Sequence, residues 1–284
     1  MDLSIVIINW NAASHLSSCL DSISALIEEV DEIVVADNDS SDDSRETVRG
    51  YPDLRLIENQ TNLGFGTAAN RALASTNSRY ILLLNSDTVV SPGSVRRLHQ
   101  SMLSDTGSAI ACGPLVGEGG TPQTGFQFRE LPTVLSVLTD VLGLQELLRF
   151  IPGKAPAQMK TGWLPSSVQP AAAYWMIRRR AWSDLGGFDE RFWPAWFEDV
   201  DFCKRLESSR WRVFFDERAR AVHIGGVSVG RLGHRLFTRV FYRNLLRYLK
   251  KHHPYRFLLL WLPIQFGSLI RQYLLSPLKS AEGS

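Results

Sequence analysis

Residues 33–42 read Ile-Val-Val-Ala-Asp-Asn-Asp-Ser-Ser-Asp, a short apolar run followed at once by a polar loop. A continuous apolar run of this length is typical of a strand buried on both faces, because a half-exposed strand would alternate. The acidic and hydroxyl side chains that follow suit a strand-end turn and the start of a helix. The stretch therefore predicts one strand of a buried parallel sheet, with polar groups at its carboxyl end.

The same pattern recurs on both sides of this stretch. Apolar runs at Leu3–Ile8, Leu54–Ile57, Tyr80–Leu84 and Ser108–Cys112 predict further strands, and the segments between them predict helices. Repeated strand–helix units indicate an α/β fold in which helices flank a mostly parallel central sheet. In such sheets ligands bind at the carboxyl ends of the strands.

The pattern weakens after the fifth predicted strand. Residues 115–169 are rich in Gly, Pro and Thr without a clean period, so we expect a variable loop region there. A strand at Ala171–Ile177 and a helix at Glu198–Leu206 follow, and residues 170–228 then complete a catalytic domain over 1–228. We expect residues 1–114 to form its ligand-binding half, because the carboxyl ends of the predicted parallel strands lie there.

The overall composition is that of a globular protein. The chain has 284 residues, of which 44% are hydrophobic and 21% charged, with a formal net charge of +2. Cys19, Cys112 and Cys203 lack the paired spacing of a zinc site or disulfide framework, which favours a reducing, cytosolic setting. The chain begins directly with a predicted core strand and shows no signal-peptide pattern.

Positive charge is concentrated in residues 229–284, which we expect to form a basic amphipathic helical extension. No acidic residue lies between Glu217 and Glu282, and basic residues recur every fourth position on a predicted helix. This series is Arg231, Arg235, Arg239, Arg243, Arg247 and Lys251. Such a helix either packs its apolar side on the catalytic domain or lies on an anionic membrane surface. Nucleic acid is not an expected partner, since no nucleic-acid-binding signature accompanies the stripe.

The apolar stretch Phe257–Ile270 would enter the membrane interface in the second case. Pro263, Gln265 and Gly267 interrupt it, so the stretch is too short and broken to predict a spanning helix.

Three polar clusters fall at predicted element boundaries. Asp37-Asn38-Asp39 and Asn85-Ser86-Asp87 each follow a strand, and Glu198-Asp199-Val200-Asp201 opens a helix. Each cluster alone would be explained by turn chemistry or helix capping. Because strands of a parallel sheet end at one edge, we expect the three clusters to converge on one crevice.

Such a crevice suits a sugar linked to a nucleoside diphosphate. Mg²⁺ or Mn²⁺ binds through a few carboxylates plus substrate phosphates, and Asp87 suits that role. A separate carboxylate is able to take the proton of an attacking hydroxyl group.

Several segments, in this order, resemble those of family-two glycosyltransferases, and most closely rhamnosyltransferases that extend lipid-linked glycans. The segments are Ser4–Asn11, Val35–Asp42, Asn62–Asn70, Leu83–Asp87 and Gly186–Phe192 followed by Phe197–Arg205. The resemblance implies a GT-A fold and an inverting glycosyltransferase. It further implies transfer of a sugar, L-rhamnose from dTDP-L-rhamnose, to a lipid-linked or polysaccharide acceptor in cell-envelope glycan synthesis.

The resemblance also implies roles for individual residues. Asp37 would bind the nucleobase, Asp87 would hold the cation or the diphosphate, and Asp199 would be the catalytic base. Glu198 would shape the acceptor site. The remaining nucleotide-binding residues would be Asn9, Asn38, Asn62, Asn70 and Ser86. Asn85 stands where the family carries the first aspartate of its Asp-x-Asp motif, so the requirement for Mg²⁺ or Mn²⁺ stays open.

His223, Trp193 and Trp196 each have two interpretations. His223 matches a position that ligates the metal or contacts the diphosphate, but a histidine at a strand end also serves as a structural hydrogen-bonding group. Aromatic side chains usually pack in the core. Trp193 and Trp196 directly precede the expected base, so we favour an acceptor-binding role for at least one of them.

The expected partners are a dTDP- or UDP-sugar donor, a glycan acceptor and the inner face of the cell membrane, contacted peripherally from the cytoplasm. The sequence leaves a homodimer open. Two alternatives remain: a UDP-hexose or galactofuranose transferase, and a non-catalytic nucleotide-sugar-binding membrane protein. Gly64–Ala69 fits a dinucleotide fingerprint, yet it does not directly follow the first strand as a dehydrogenase requires. A nucleotidyltransferase would carry a Gly-rich basic loop where Asn9-Trp10-Asn11 stands.

Overall fold

The computed structural model describes residues 1–141, 159–225 and 233–273. The described strands are β1 (Leu3–Asn9), β2 (Glu32–Asp37), β3 (Arg55–Glu58), β4 (Tyr80–Asn85), β5 (Thr88–Val90), β6 (Ser108–Cys112), β7 (Leu115–Val116), β8 (Phe128–Glu130), β9 (Gly162–Trp163), β10 (Val168–Pro170), β11 (Tyr174–Arg178), β12 (Arg212–Phe215) and β13 (Ala221–His223). The described α-helices are α1 (Ala13–Ile23), α2 (Ser44–Arg49), α3 (Phe65–Ala74), α4 (Pro92–Ser104), α5 (Thr124–Gln127), α6 (Val134–Val141), α7 (Arg179–Leu185), α8 (Glu198–Glu207), α9 (His234–His252) and α10 (Pro254–Tyr273).

The described residues group into two compact units. One comprises the described residues within 1–130 and 157–227, and the other comprises those within 131–156 and 228–284. The expected domain boundary at 228/229, the start of the arginine series at Arg231, and residues 142–158 of the expected loop region lie outside the described residues.

The first unit contains a mixed, mostly parallel sheet in the order β3-β2-β1-β4-β11-β6-β12-β9. The first four strands are parallel, and β11 runs antiparallel between β4 and β6. All residues of β1 and of β6 are buried, as their continuous apolar runs predict. The predicted α/β fold with a mostly parallel sheet and flanking helices is confirmed.

The antiparallel strand β11 has a consequence for the position of the site. Its register pairs Tyr174 with Leu84, so the amino end of β11 lies beside the carboxyl end of β4. The residues that precede β11 therefore reach the same sheet edge as the loops after β1, β2 and β4. This edge is where ligands bind in parallel α/β sheets.

Residues 115–169, expected to be a variable loop region, contain short helices and strands in their described part. β8 pairs antiparallel with β10, and β7 joins the three-stranded sheet β5-β13-β7. These strands have two or three residues each. Elements so short carry no period, and they form because distant partners supply their hydrogen bonds.

The second unit is helical. A single residue, His253, separates α9 from α10, and His234 at the start of α9 is hydrogen-bonded to the carbonyl oxygen of Arg271 near the end of α10. The two helices therefore form an antiparallel hairpin. Helix α6 packs on α10 at Gly267, where an added Cβ would lie 2.5 Å from Val141 Cγ1.

None of the helices within the described ranges is both long enough and apolar enough to cross a membrane.

Candidate active site

The Asp37 carboxylate organises the loop after β2. It accepts hydrogen bonds from Asn9 Nδ2 at 2.9 Å, the Ser40 amide at 3.0 Å and Arg45 Nε at 2.8 Å. The parallel register places Asn9 directly opposite Asp37, so both side chains lie at the carboxyl ends of β1 and β2. Asp37 is only 1% exposed, which makes these bonds strong determinants of the loop shape.

Asn9 retains an unused hydrogen-bond acceptor. Its Oδ1 atom is buried, and no donor within the described part of the chain reaches it. A buried acceptor without a partner is unfavourable, so its presence beside Asp37 is consistent with a ligand that brings a donor.

Asn38 and Asn62 join the loops after β2 and β3. Asn38 Nδ2 donates to Asn62 Oδ1 at 3.0 Å, and Asn38 Oδ1 accepts from the amide of Leu63 at 3.0 Å. Asn62 Oδ1 also accepts from the Gly64 amide at 2.9 Å. The two amide side chains thus fix the loop that leads into α3.

Trp193 rests on this same loop. Its Nε1 donates to the carbonyl oxygen of Asn62 at 3.1 Å, and the Phe65 amide donates to the carbonyl oxygen of Pro194 at 2.7 Å. Trp193 is 46% exposed. Trp196 lies three residues after Trp193 in the loop before α8. It is half-buried and has a left-handed backbone conformation.

Asn70 binds the loop before α8 to α3. Its Nδ2 donates to the Phe188 carbonyl at 2.9 Å and to Glu190 Oε1 at 3.0 Å, and its Oδ1 accepts from the Phe188 amide at 2.9 Å. These three bonds give Asn70 a positioning role in the structure.

Asp87 and His223 meet at the end of β4. Strand β13 pairs antiparallel with β5, which places His223 opposite Thr88. His223 Nε2 lies 3.4 Å from Asp87 Oδ1, and the amide of Ile224 donates to the Asp87 carbonyl at 3.1 Å. Ser86 is buried beside them, and the amide of Asn85 donates to the carbonyl of Ala173 at 3.2 Å.

Gln123 sets the tautomer of His223. Gln123 Nε2 donates to the His223 carbonyl at 2.6 Å, so its Oε1 is the atom 2.9 Å from Nδ1. Because that oxygen only accepts, Nδ1 carries the proton and Nε2 faces Asp87 with a lone pair. Burial lowers the pKa of His223, and the nearby Asp87 charge offsets this in part. The ring of Phe126 stacks on the imidazole with 4.7 Å between centroids.

The lone pair of His223 and the Asp87 carboxylate fit a divalent cation. Both are acceptors, and a cation between them would satisfy both. Across residues 1–141, 159–225 and 233–273, no cluster of three or more His, Cys, Asp or Glu side chains forms a larger metal site. Any cation here would therefore depend on substrate oxygens for further ligands.

Asp199 occupies the first turn of α8. Its Oδ2 accepts from Gln169 Nε2 at 2.7 Å, and its Oδ1 accepts from the Val200 amide at 2.8 Å. Burial raises the pKa of Asp199, while Arg129 and the backbone amide donors lower it. The result is a carboxylate that is more basic than an ordinary aspartate, as a general base requires.

The neighbouring Glu198 is buried against the first turn of α3. A Cβ placed on Gly66 would lie 3.6 Å from Glu198 Cβ. Burial, and then the charge of Asp199, raise the pKa of Glu198 well above its usual range. Its Oε2 is buried, and no partner among the described residues contacts it. Burial without a hydrogen-bond donor on Oε2 therefore disfavours the ionised form of Glu198.

Four residues that the sequence analysis did not identify lie between the Asp87–His223 pair and the Glu198–Asp199 pair. Arg129 lies over the ring of Phe126 with 5.8 Å from Cζ to the centroid, and β8 places Arg129 opposite Gln169. Gln123 and Phe126 contact His223, whereas Arg129 and Gln169 act on Asp199. All four lie in the segment expected to be a variable loop, where no periodic signal marked them.

The site residues form two connected groups at the ends of the sheet strands. Asp37 connects through Asn9 to β1, and the adjoining Asn38 connects through Asn62 to Trp193. Asp87 connects through His223 to the segment that carries Arg129, which acts on Asp199. Asn70 and Trp193 attach the loops to one another.

A family model described as "Glycosyl transferase family 2" matches residues 4–181. The chain belongs to this family. It is accordingly a glycosyltransferase with a GT-A fold, related to a lipid-linked rhamnosyltransferase. One relative is the N-acetylglucosaminyl-diphospho-decaprenol L-rhamnosyltransferase of Mycobacterium tuberculosis, which is 29% identical over 256 residues. The alignment covers 81% of this chain and 78% of the relative.

A second relative of this glycosyltransferase is a low-salt glycan biosynthesis hexosyltransferase of Haloferax volcanii. It is 25% identical over 226 residues, covering 78% of this chain and 67% of the relative.

Solved structures share the fold at low identity. The mannosyltransferase PcManGT from Pyrobaculum calidifontis, in complex with GDP-Man and Mn²⁺, has a TM-score of 0.58 and 16% identity. S. aureus TarS 1-349 has a TM-score of 0.56 and 17% identity. The matches cover 88% of this chain, and 63% and 66% of the two solved chains.

Proposed function

We propose that this glycosyltransferase transfers L-rhamnose from dTDP-L-rhamnose, with inversion, to a lipid-linked or polysaccharide acceptor in cell-envelope glycan synthesis. The observation that carries the proposal is Asp199, held by Gln169 and the Val200 amide with a pKa raised by burial. The rhamnosyltransferase relative from M. tuberculosis supports the choice of sugar and of a polyprenyl-linked acceptor.

In the proposed reaction the acceptor hydroxyl gives its proton to Asp199 as its oxygen attacks the anomeric carbon. The bond from that carbon to the diphosphate oxygen breaks, and the nucleoside diphosphate leaves with the bonding electrons. Protonated Glu198 keeps a second negative charge away from the base. Attack from the side opposite the leaving group inverts the anomeric configuration.

Nucleotide recognition is proposed for the Asp37 network. The unused Oδ1 of Asn9, next to Asp37, is an acceptor for the imino N–H of thymine or uracil. Asn38 and Asn62 fix the loop that leads into α3. Asn70, on α3, is hydrogen-bonded to Phe188 in the loop before α8. The exposed indole of Trp193 is proposed to stack on the acceptor sugar. Trp196 lies in the same loop as Trp193, before α8.

A divalent cation, Mg²⁺ or Mn²⁺, would be held by Asp87 and His223. When bound, it would neutralise the charge that develops on the departing diphosphate. The Mn²⁺ complexes of PcManGT and of the glucosyl-3-phosphoglycerate synthase of M. tuberculosis support a divalent ion. The neutral imidazole and the carboxylate of this chain suit Mn²⁺ as ligands.

The proposed location is the inner face of the cell membrane, where a polyprenyl-linked acceptor would be reached from the cytoplasm. The basic helices α9 and α10 support peripheral contact with that membrane.

A UDP-hexose donor is the second candidate. The hexosyltransferase relative favours it, and thymine and uracil present the same hydrogen-bonding edge to Asn9 and Asp37. A set of donors that differ in sugar and in nucleobase is therefore needed to separate the two candidates.

The function is tested by Asp199→Asn. Transfer should fall by about 10²–10⁴-fold, because the amide cannot accept the acceptor proton, whereas donor affinity measured by calorimetry should persist. Glu207→Gln, an equivalent change at the far end of α8, should leave transfer unchanged. Wild-type turnover by the Asp199→Asn variant would eliminate Asp199 as the base.

A further inference from the structure

Helix α10 presents a broad apolar face to solvent. Six large side chains on it are highly exposed, from 54% for Leu269 to 85% for Tyr255. They are Tyr255, Leu258, Leu259, Leu262, Phe266 and Leu269. At 3.6 residues per turn these positions fall within an arc of about 100°, so they form one continuous stripe along the helix. We name this stripe the α10 face.

The opposite side of α10 is buried and partly polar. Leu260 and Ile264 are buried there, but so are Ser268 and Gln272, whose side chains are hydrogen-bonded to each other at 2.9 Å. Asn244 of α9 is also fully buried. A helix in water normally points its polar side chains outward. Here polar groups lie inside the helical unit while leucines and two aromatic rings lie outside, so the α10 face is suited to being covered by a partner.

The charge of α9 and α10 indicates which kind of partner covers this face. Residues 233–273 contain eight Arg and Lys residues and no Asp or Glu. Arg256 is exposed in the first turn of α10, next to Tyr255 at one end of the α10 face. A second copy of the chain would bring like charge against like charge across a two-fold interface, which is unfavourable. A surface that combines negative charge with an apolar interior accepts both features.

We propose that the α10 face is a docking surface for an anionic lipid bilayer, with α10 lying along the interface. The leucines and Phe266 enter the boundary between headgroups and acyl chains, and Arg256, at one end of the α10 face, pairs with a lipid phosphate. This deepens the membrane location given under the proposed function. It assigns that location to one helix face and to anionic lipids.

Vesicle co-sedimentation of the full chain tests the assignment without donor or acceptor. Wild type should bind vesicles of phosphatidylcholine with phosphatidylglycerol, and bind much less to phosphatidylcholine alone. The triple variant Leu259→Ser, Leu262→Ser, Phe266→Ser should lose more than about tenfold in partitioning, because the buried apolar area disappears. Its melting temperature should stay unchanged, since all three side chains are at least 67% exposed.

Matched single variants control for loss of any exposed leucine. Leu262→Ser should weaken binding, whereas Leu103→Ser, which removes a 53% exposed leucine from α4, should not. Equal binding to both vesicle types, or no loss in the triple variant, would overturn the proposal. So would a wild-type dimer in light scattering that the triple variant converts to a monomer. None of these results depends on transfer, so they are distinguishable from failure of the proposed reaction.

Discussion

At the scale of single residues, two adjacent carboxylates acquire different chemistry from their surroundings. Glu198 is buried with one oxygen unpaired among the described residues, whereas Asp199 receives two hydrogen bonds and the field of Arg129. When two carboxyl groups interact, the charge on each disfavours ionisation of the other, and hydrogen-bond donors favour the charged form of the group that accepts them. These surroundings support the proposal that Asp199 is the base.

The pH dependence of transfer should report on Asp199. The base must be ionised, and burial raises its pKa, so kcat/KM should fall on acidification at a higher pH than for an ordinary aspartate. Arg129 lowers that pKa. Arg129→Gln should therefore move the acid limb of the pH–rate profile further upward, and Arg129→Lys should restore it. Arg180→Gln, at an exposed arginine of α7, is the control, and a limb that stays in place would contradict the assignment.

The hydrogen bond from His223 Nδ1 to Gln123 should govern cation affinity. Gln123→Leu removes the acceptor that holds the proton on Nδ1, so Nε2 loses its fixed lone pair toward Asp87. We expect activation by Mn²⁺ to require about 10–100-fold more metal, as is usual when the outer partner of a ligating histidine is lost. Mn²⁺ titration of transfer measures this. Gln60→Leu at an exposed glutamine should change nothing, and an unaltered titration for Gln123→Leu would count against the metal site.

At the scale of secondary-structure elements, the loops around the site are attached by backbone approach as well as by side chains. Asn70 holds the loop before α8, and the Asn62–Phe65 loop lies directly under Trp193 and Pro194. Gly64 makes that approach possible because it has no Cβ. Its φ of +80° is also a conformation that other residues rarely adopt. A Cβ there would lie 2.7 Å from Trp193 Cδ1 and 2.8 Å from the Pro194 carbonyl oxygen.

Gly64→Ala should consequently separate the two loops. We expect a loss of about 1–3 kcal/mol in the free energy of unfolding from overpacking, together with a raised KM for the donor. Urea denaturation and steady-state kinetics measure the two effects. Gly119→Ala is the control, since no heavy atom lies within 4 Å of the added Cβ. Equal stability of the two variants would show that the loops do not require this contact.

At the scale of the whole molecule, donor binding should stabilise the folded chain. A ligand at about one hundred times its Kd adds about 2.7 kcal/mol, which corresponds to a rise in Tm of about 5 °C for a chain of this size. We expect dTDP-L-rhamnose with Mn²⁺ to give the largest rise among dTDP-, UDP- and GDP-sugars, and L-rhamnose alone to give none. A larger rise with a UDP-hexose would favour the second candidate function.

Much of the central sheet could be predicted because its strands are buried on both faces. A strand in that position has to be apolar throughout, so the runs at Leu3, Ile33, Tyr80 and Ser108 are visible without any knowledge of their partners. The short strands β7, β8 and β10 could not be predicted in the same way. Their stability comes from pairing with strands distant in the chain, and such pairing leaves no local period.

The same physical difference separates the residues of the site. Asp37, Asp87 and Asp199 stand at element boundaries, and boundary position is encoded in the residues on either side of each one. Gln123, Phe126, Arg129 and Gln169 act through contacts with residues 30–100 positions away, such as Gln123 with His223 and Gln169 with Asp199.

The amino-acid sequence by itself determined the fold class, the order of its main elements and the family, because local burial patterns and short motifs carry that information. Only the tertiary structure decided which side chains surround Asp199 and the Asp87–His223 pair, and which face of α10 meets solvent. Those properties arise from long-range packing and from the exclusion of water, and neither is a function of neighbouring residues alone.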